Sequence, residues 1–217
     1  MTTRTDVSRA PRSATILKAR LIDAHRQEFE AGLAWAVSDP MVEAAAARIT
    51  GARRRFVLGA ATSFTYASLL AAKLSNSLAQ VTLVDGTIVR PLDILSDVRA
   101  SDVMIVISLR RFRGYTIDTA VPFADAGGTI VLITDSTDNP LLERATETII
   151  IGPDDTAGLA HVDDDLSLHP ETPEVSPAVL AMVIDILATL SSASAKGANR
   201  RFAERQRLAS ELGLYRD

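Results

Sequence analysis

The sequence predicts an α/β protein, a three-layer αβα sandwich in which helices cover both faces of a five-stranded parallel sheet. Two observations predict this class. Five short aliphatic runs are continuous rather than alternating, which is typical of strands buried on both faces. Stretches of helical periodicity separate these runs, and helical crossovers of this kind join parallel strands. The length of 217 residues, with 47% hydrophobic and 23% charged residues, fits one globular domain.

Two helices are predicted before the first strand. Residues 1–14 are polar and are expected to form a flexible tail. Apolar residues then recur at helical spacing over 16–37, which predicts a first helix with one apolar face. Asp39 is a capping residue ahead of Pro40, so a second helix is expected over 40–50.

The sheet and its crossovers follow these two helices. Strands are predicted at residues 56–58, 81–84, 103–107, 130–133 and 148–151. Helical crossovers are predicted at residues 62–79, 91–98, 115–126 and, barely longer than one turn, 140–145. A long irregular loop is expected over 152–173. A helix that starts at 174 and carries an apolar seam as far as Leu190 follows it, and a last helix is expected over 199–212.

The predicted elements divide the chain into the tail and a single domain over residues 15–217. Its sheet core is expected to span 53–152, with flanking helices over 15–50 and 174–213.

Composition excludes several classes of function. A net charge of −4 disfavours a surface built to hold nucleic acid, and the run of Arg53, Arg54 and Arg55 is interpreted as a solvated lead into the first strand. The chain has no cysteine and three histidines, so we expect no structural zinc, no metal site and no cofactor. It has no apolar run near the roughly 20 residues that a membrane helix needs, so a cytoplasmic protein is expected.

The first loop that follows a strand offers groups suited to an anion. Gly59 allows a tight turn, and Thr62 and Ser63 place two hydroxyls at the start of a helix, with Ala61 between. Free main-chain N–H groups and hydroxyls at a helix start bind phosphate or sugar oxygens. The same hydroxyls could instead simply cap the helix.

Two further loops, after the third and fourth strands, carry similar groups. Ser108, Arg110 and Arg111 follow the third strand, and Thr134 and Ser136 follow the fourth. Taken alone, the arginines could be solvated and the hydroxyls could belong to a capped turn. Because ligands of parallel sheets collect beyond the carboxyl ends of the strands, the three loops are expected to converge on one crevice.

Three segments of the chain resemble those of a known family. They are residues 56–59 with Ser63 and Ala67, residues 102–108, and residues 127–135 with Pro140, Leu141 and Ala145. Over residues 53–152 the chain resembles a SIS (sugar isomerase) domain, the phosphosugar-binding module of isomerases and of RpiR/MurR-family regulators. The family's common Ser-x-Ser-Gly-x-Thr loop is absent. In its place, residues 108–112 resemble the Arg-Arg-aromatic variant of part of the RpiR family, which makes that family the closer relative.

The resemblance implies a flavodoxin-like sheet of SIS type, a homo-oligomer (dimer or tetramer), and a phosphosugar held at the strand ends. It implies ligand contacts from the hydroxyls of Ser63 and Ser108. Residues expected to lie around these contacts are Gly59, Ala61, Thr62, Arg110, Arg111, Thr134 and Ser136. Ala61 stands where the family usually has glycine, and Arg110 or Arg111 is expected to contact the phosphate in place of the missing Ser-Gly pair.

The sequence leaves three functions open. We prefer a sensor of carbohydrate metabolism that binds a phosphorylated sugar or sugar acid. An aldose–ketose isomerase is the first alternative, and it needs an acid and a base. The candidates, chiefly His169 and Glu171 with His161 and Glu174, fit ordinary surface polarity as well, so no catalytic residue is assigned. An RpiR-type regulator is the second alternative. The fifty residues before the sheet leave no room for a helix-turn-helix domain of roughly 70–80 residues, so DNA binding is not expected without a separate DNA-binding domain.

Overall fold

The computed structural model describes residues 9–151 and 175–214. Their helices are α1 (Arg9–Ser38), α2 (Met41–Gly51), α3 (Thr62–Ser75), α4 (Pro91–Leu95), α5 (Gly114–Asp125), α6 (Pro177–Ala193) and α7 (Ala198–Glu211). The strands are β1 (Arg55–Gly59), β2 (Val81–Val84), β3 (Val103–Ile107), β4 (Thr129–Thr134) and β5 (Glu147–Ile150), and one 3-10 turn (Leu142–Arg144) precedes β5. The predicted α/β class is confirmed.

The five strands form one parallel sheet in the order β2-β1-β3-β4-β5. After β1 the chain moves outward to β2, and from β3 onward it moves in the opposite direction. The chain therefore reverses direction across the sheet between β1 and β3, and in open sheets of this order the ligand crevice lies at that point. All five predicted strands are present, each displaced by at most one residue at either end.

Each face of the sheet packs against its own layer of helices. Val57, Ile105 and other side chains of one face are buried against α2, α3 and α6. The alternate side chains, including Met104 and Val106, are buried against α4 and α5. Because both faces are covered, every position of β1 and β3 is buried. This burial explains why the strands appear in the sequence as continuous apolar runs.

The structure differs from the sequence-based boundaries in a few places. Helix α1 begins at Arg9, so part of the predicted flexible tail is helical, and Pro11 lies in the first turn, where a helix does not need the missing N–H. Helix α3 ends at Ser75 rather than 79, although the N–H of Leu78 still donates to the carbonyl of Leu74 at 2.8 Å. The loop predicted over 152–173 lies outside the described residues.

An ion-pair cluster joins the amino-terminal ends of the strands. The Asp102 carboxylate, fully buried ahead of β3, accepts hydrogen bonds from Arg54 at 2.8 Å, from Arg53 at 2.9 Å and from the N–H of Arg99 at 3.0 Å. Burial alone raises the pKa of Asp102, but the hydrogen bonds from Arg54 and Arg53 outweigh it and hold that pKa below its ordinary value. Arg55 is buried as well. The interpretation of the three arginines as solvated is therefore wrong for Arg54 and Arg55, whereas Arg53 is exposed.

No single helix among residues 9–151 and 175–214 is both long and apolar enough to cross a membrane, and α6 and α7 reach that length only as a pair bent by 105°.

Candidate functional site

Three of the loops that follow strands leave the sheet side by side. In the register of the sheet, Gly59 of β1 lies opposite Ile107 of β3, and Ile107 lies opposite Ile133 of β4. Neighbouring strands lie about 4.8 Å apart. The loops after β1, β3 and β4 therefore begin within one narrow stretch of the carboxyl edge, and the gap between the first two is the crevice at the reversal point. We call it the β1/β3 crevice.

The first loop turns sharply from β1 into α3. A side chain at Gly59 would place its Cβ 2.6 Å from the carbonyl oxygen of Ser63, so only glycine allows the helix to start this close to the strand. Ala61 has φ 53° and ψ −126°, a conformation that residues with a side chain rarely adopt. Ser63 is buried and Thr62 exposed, and neither hydroxyl caps α3. Helix capping therefore does not account for these two hydroxyls.

The second loop begins with Ser108. Its side chain is 3% exposed, and among the described residues its buried Oγ has no hydrogen-bond partner. The main-chain N–H of Arg110 donates to Oδ1 of Asp135 at 2.8 Å, which ties this loop to the one after β4. Arg110 is half-buried, whereas Arg111 is exposed and has a positive φ of 63°. Ser108, Arg110 and Arg111 therefore belong to the loop on the β3 side of the β1/β3 crevice.

The hydroxyls of the third loop are engaged within the protein. Thr134 is fully buried, and its Oγ1 accepts a hydrogen bond from Nδ2 of Asn139 at 3.0 Å. The Oγ of Ser136 accepts from the main-chain N–H of Asp138 at 3.1 Å. These contacts shape the loop itself. Ligand contact by Thr134 or Ser136 stays a prediction.

Sequence reasoning missed Asn139, which links two of the loops. Besides its bond to Thr134, its Nδ2 donates to the carbonyl of Ser108 at 2.9 Å, and its Oδ1 accepts from the N–H of Leu141 at 3.0 Å. The side chain is 3% exposed. The sequence around it resembles an ordinary turn ahead of Pro140, and no periodicity or charge pattern marks it.

Sequence reasoning also missed Ser176, which precedes α6. The carbonyl of Ser191, near the end of α6, accepts from Oγ1 of Thr50, which lies just before β1 at the amino edge of the sheet. The 17 residues of α6 span about 25 Å, so the helix starts at the carboxyl edge. Ser176 makes no side-chain cap, and its buried Oγ, like that of Ser108, has no partner in the described parts of the chain.

The four candidate acid–base residues His161, His169, Glu171 and Glu174 lie outside the described residues. Within residues 9–151 and 175–214, no group of three or more histidine, aspartate or glutamate side chains could hold a metal ion. The loops that flank the β1/β3 crevice carry the hydroxyls of Ser63 and Ser108 and the guanidinium groups of Arg110 and Arg111, with the Asp135 carboxylate bound to the N–H of Arg110. Hydroxyls and guanidinium groups are hydrogen-bond donors, the chemistry that phosphate and sugar oxygens require.

A doubly wound parallel sheet with donor-rich loops at its reversal point defines a class of α/β domains that hold small polar ligands at the strand ends. Within that class the chain belongs to the SIS domain family, which matches residues 48–164, more than half of the sequence. This match confirms the resemblance drawn from the residues. A comparison with functionally curated proteins gives no match.

Solved structures share the fold at low sequence identity. The sugar isomerase domain of an RpiR transcription factor from Sphaerobacter thermophilus is 20% identical, with a TM-score of 0.65 over 91% of this chain and 98% of that one. The Vibrio vulnificus NanR protein complexed with ManNAc-6P is 16% identical, with a TM-score of 0.66 over 92% and 73%. The E. coli CFT073 protein c3406, in complex with a phosphosugar, is 20% identical, with a TM-score of 0.62 over 87% and 96%.

Proposed function

We propose that the chain binds a phosphorylated sugar or sugar acid in the β1/β3 crevice and acts as a sensor in carbohydrate metabolism. The observation that carries the proposal is the hydroxyl of Ser108, which is buried at the crevice and lacks a hydrogen-bond partner among the described residues. A buried hydroxyl left unpaired costs about 1–3 kcal/mol. A sugar or phosphate oxygen that accepts a hydrogen bond from Ser108 would recover that cost.

The proposed roles follow from the position of each side chain. Ser63 and Thr62 stand at the start of α3, where free main-chain N–H groups favour an anion, and we assign the phosphate to this side. Arg110 and Arg111 supply the positive charge from the facing loop. Ser108 then contacts a sugar oxygen between them.

The solved structures support this assignment by the ligands that they contain. The NanR structure holds ManNAc-6P and the E. coli protein holds another phosphosugar, and both share the fold of this chain. The structure adds independent support, because the loops that carry Ser63, Ser108 and the two arginines leave the sheet at the position where a doubly wound sheet binds ligands.

We also propose that the chain forms a homodimer or tetramer through α1. Five large apolar side chains on this helix are exposed, and the most exposed are Ile16 at 56%, Ile22 at 57% and Val37 at 90%. A helix with such a face buries it against another surface. Light scattering on the protein as it elutes from a size-exclusion column should give a mass of at least two chains. Replacing Ile22 with aspartate should lower that mass to one chain.

A thermal-shift titration tests the binding site. ManNAc-6P and the phosphosugar of the E. coli complex should raise the melting temperature in a concentration-dependent way, because a ligand of the native state stabilises it by mass action. The unphosphorylated sugars should give a smaller shift. Ser108→Ala should remove the shift, whereas Ser191→Ala, which removes a buried hydroxyl from the far end of α6, should retain it. A full shift in Ser108→Ala would place the ligand elsewhere.

Two further assays test the alternative functions, an isomerase and a regulator that binds DNA. Turnover of aldose or ketose phosphates, followed by polarimetry and abolished by Glu171→Gln or His169→Ala, would establish an isomerase in place of a sensor. Specific retardation of an operator fragment at physiological salt would establish a regulator that binds DNA.

A further inference from the structure

A cavity lies at the amino edge of the sheet, opposite the edge that carries the β1/β3 crevice. It has a volume of about 1070 Å³ and lies between the ends of α2 and α3, the first residue of β1, and the turn that joins α6 to α7. Thr50 and Ala79 belong to its wall, and both are hydrogen-bonded to the buried Arg55. No residue of the three strand-end loops described above lines this cavity.

Positive charge is concentrated in this cavity. Five of its lining residues are cationic and one is acidic; the cations are Arg55, Lys196, Arg200, Arg201 and Arg205. The acidic residue, Glu204, is already engaged, because Arg207 outside the cavity donates to its two carboxylate oxygens at 2.7 and 3.0 Å. The excess of positive charge stands out in a chain whose net charge is −4.

Arg55 forms the inner wall of the cavity and is 7% exposed. Its guanidinium donates to the carbonyls of Ile49 at 2.6 Å, Thr50 at 2.8 Å and Ala79 at 3.0 Å. These three bonds hold the group in place, and none of them is to a carboxylate. Burial lowers the pKa of Arg55, which is the direction expected for a cation removed from water.

Three of the remaining cations stand at or next to the start of α7, and the fourth, Arg205, lies further along the helix and donates to Oδ1 of Asn76 at 3.5 Å. Gly197, with φ 79° in the left-handed region, allows the chain to turn by 105° from α6 into α7, so that Lys196, Arg200 and Arg201 come to one rim. No ion pair is described for these three side chains within residues 9–151 and 175–214. Crowding like charges is unfavourable unless an anion offsets them.

We propose that this cavity binds a small molecule that carries two or more phosphate groups. Several guanidinium groups around one hollow match clustered phosphates, because each planar group can donate two parallel hydrogen bonds. The volume lies just above the range for small-molecule sites, about 300–1,000 Å³. Leu78 and Leu208 add an apolar wall for the remainder of such a ligand.

A small ligand fits these observations better than a nucleic acid. The charge lines a concave site rather than a stripe along the surface, and the acidic chain as a whole repels an extended polyanion. The site is also independent of the proposed sugar site, because the two lie at opposite edges of the sheet.

Calorimetric titration of the full chain with inorganic tripolyphosphate at physiological salt tests the proposal. The wild-type protein should bind tripolyphosphate more tightly than orthophosphate. Arg200→Gln and Arg201→Gln, both at exposed positions of α7, should each weaken binding about tenfold or more. Arg26→Gln is the matched control, since it removes an exposed helical arginine outside the cavity, and it should change the affinity less than twofold.

The same titration separates this site from the sugar site. Ser108→Ala should leave tripolyphosphate binding intact, and Arg200→Gln should leave the thermal shift with a sugar phosphate intact. Equal losses in Arg200→Gln and Arg26→Gln, or no binding of tripolyphosphate by the folded wild-type protein, would overturn the proposal. Duplex DNA that displaces tripolyphosphate at lower concentration would also overturn it and assign the cavity to nucleic acid.

Discussion

Replacing Asn139 with alanine should destabilise the protein by about 3 kcal/mol. The side chain is buried and satisfies the Ser108 carbonyl, the Thr134 hydroxyl and the Leu141 N–H. Alanine leaves all three groups without this partner, and each buried group that loses its hydrogen bond costs about 1 kcal/mol or more. The loss should fall on the loops after β3 and β4, so ligand binding at the β1/β3 crevice should weaken together with stability.

Urea unfolding followed by the fluorescence of Trp35 measures this loss. Trp35 is the single tryptophan of the chain, and it packs against the core on the α6 side of the sheet. Thr134→Val is the control, because it removes only one of the three hydrogen bonds of Asn139 and should cost about 1 kcal/mol. An Asn139→Ala variant within about 0.5 kcal/mol of the wild type, or a Thr134→Val variant that is equally destabilised, would refute the assigned role.

Three further predictions concern stability. The pKa of Asp102 is lower in the folded protein than its unfolded value of about 3.9. The ionised carboxylate therefore contributes fully to the free energy of unfolding above the unfolded pKa, and this contribution is lost as the pH falls through the folded pKa. Asp102→Asn should therefore cost about 2–4 kcal/mol at pH 7 and progressively less below pH 4 in urea titrations; a pH-independent loss would contradict this. Ala61→Gly should stabilise the protein by about 1 kcal/mol in the same assay, because glycine adopts φ 53° without strain; unchanged or lower stability would count against strain at this position. Gly59→Ala should cost about 2 kcal/mol or more, because its Cβ meets the carbonyl of Ser63 at 2.6 Å, and a near-neutral result would show that α3 can shift.

The fold could be predicted from the sequence because its signals are local. A strand buried on both faces needs a continuous apolar run, and a crossover helix needs an apolar stripe. Each of these patterns can be recognised within a short stretch of the sequence. Predictions were less accurate where contacts between distant parts of the chain decide the outcome. The burial of Arg55 is an example, because an arginine at the start of a strand is usually exposed and only the folded structure brings three carbonyls around it.

The position of the candidate site at the sheet edge can be predicted from the sequence, whereas the contacts between its loops cannot. The sheet edge follows from the order of strands, and Ser108 was identified because it directly follows a strand. Asn139 and Ser176 were not identified, because their importance depends on partners that are distant in sequence or on burial. Thr134 and Ser136 accept hydrogen bonds within their own loop, contacts that their residue type does not reveal, and ligand contact by either hydroxyl stays a prediction.

Backbone strain provides a further argument that the β1/β3 crevice is functional. Three residues other than glycine have a positive φ among the described residues, Ala61, Gln80 and Arg111. Ala61 and Arg111 lie in the two loops that flank the crevice, and each such conformation costs of order 1–3 kcal/mol. Glycine at either position would avoid this cost. Since the alanine and the arginine are present instead, the strain indicates that the path of each loop is imposed by the surrounding fold, as expected where a ligand requires fixed donors.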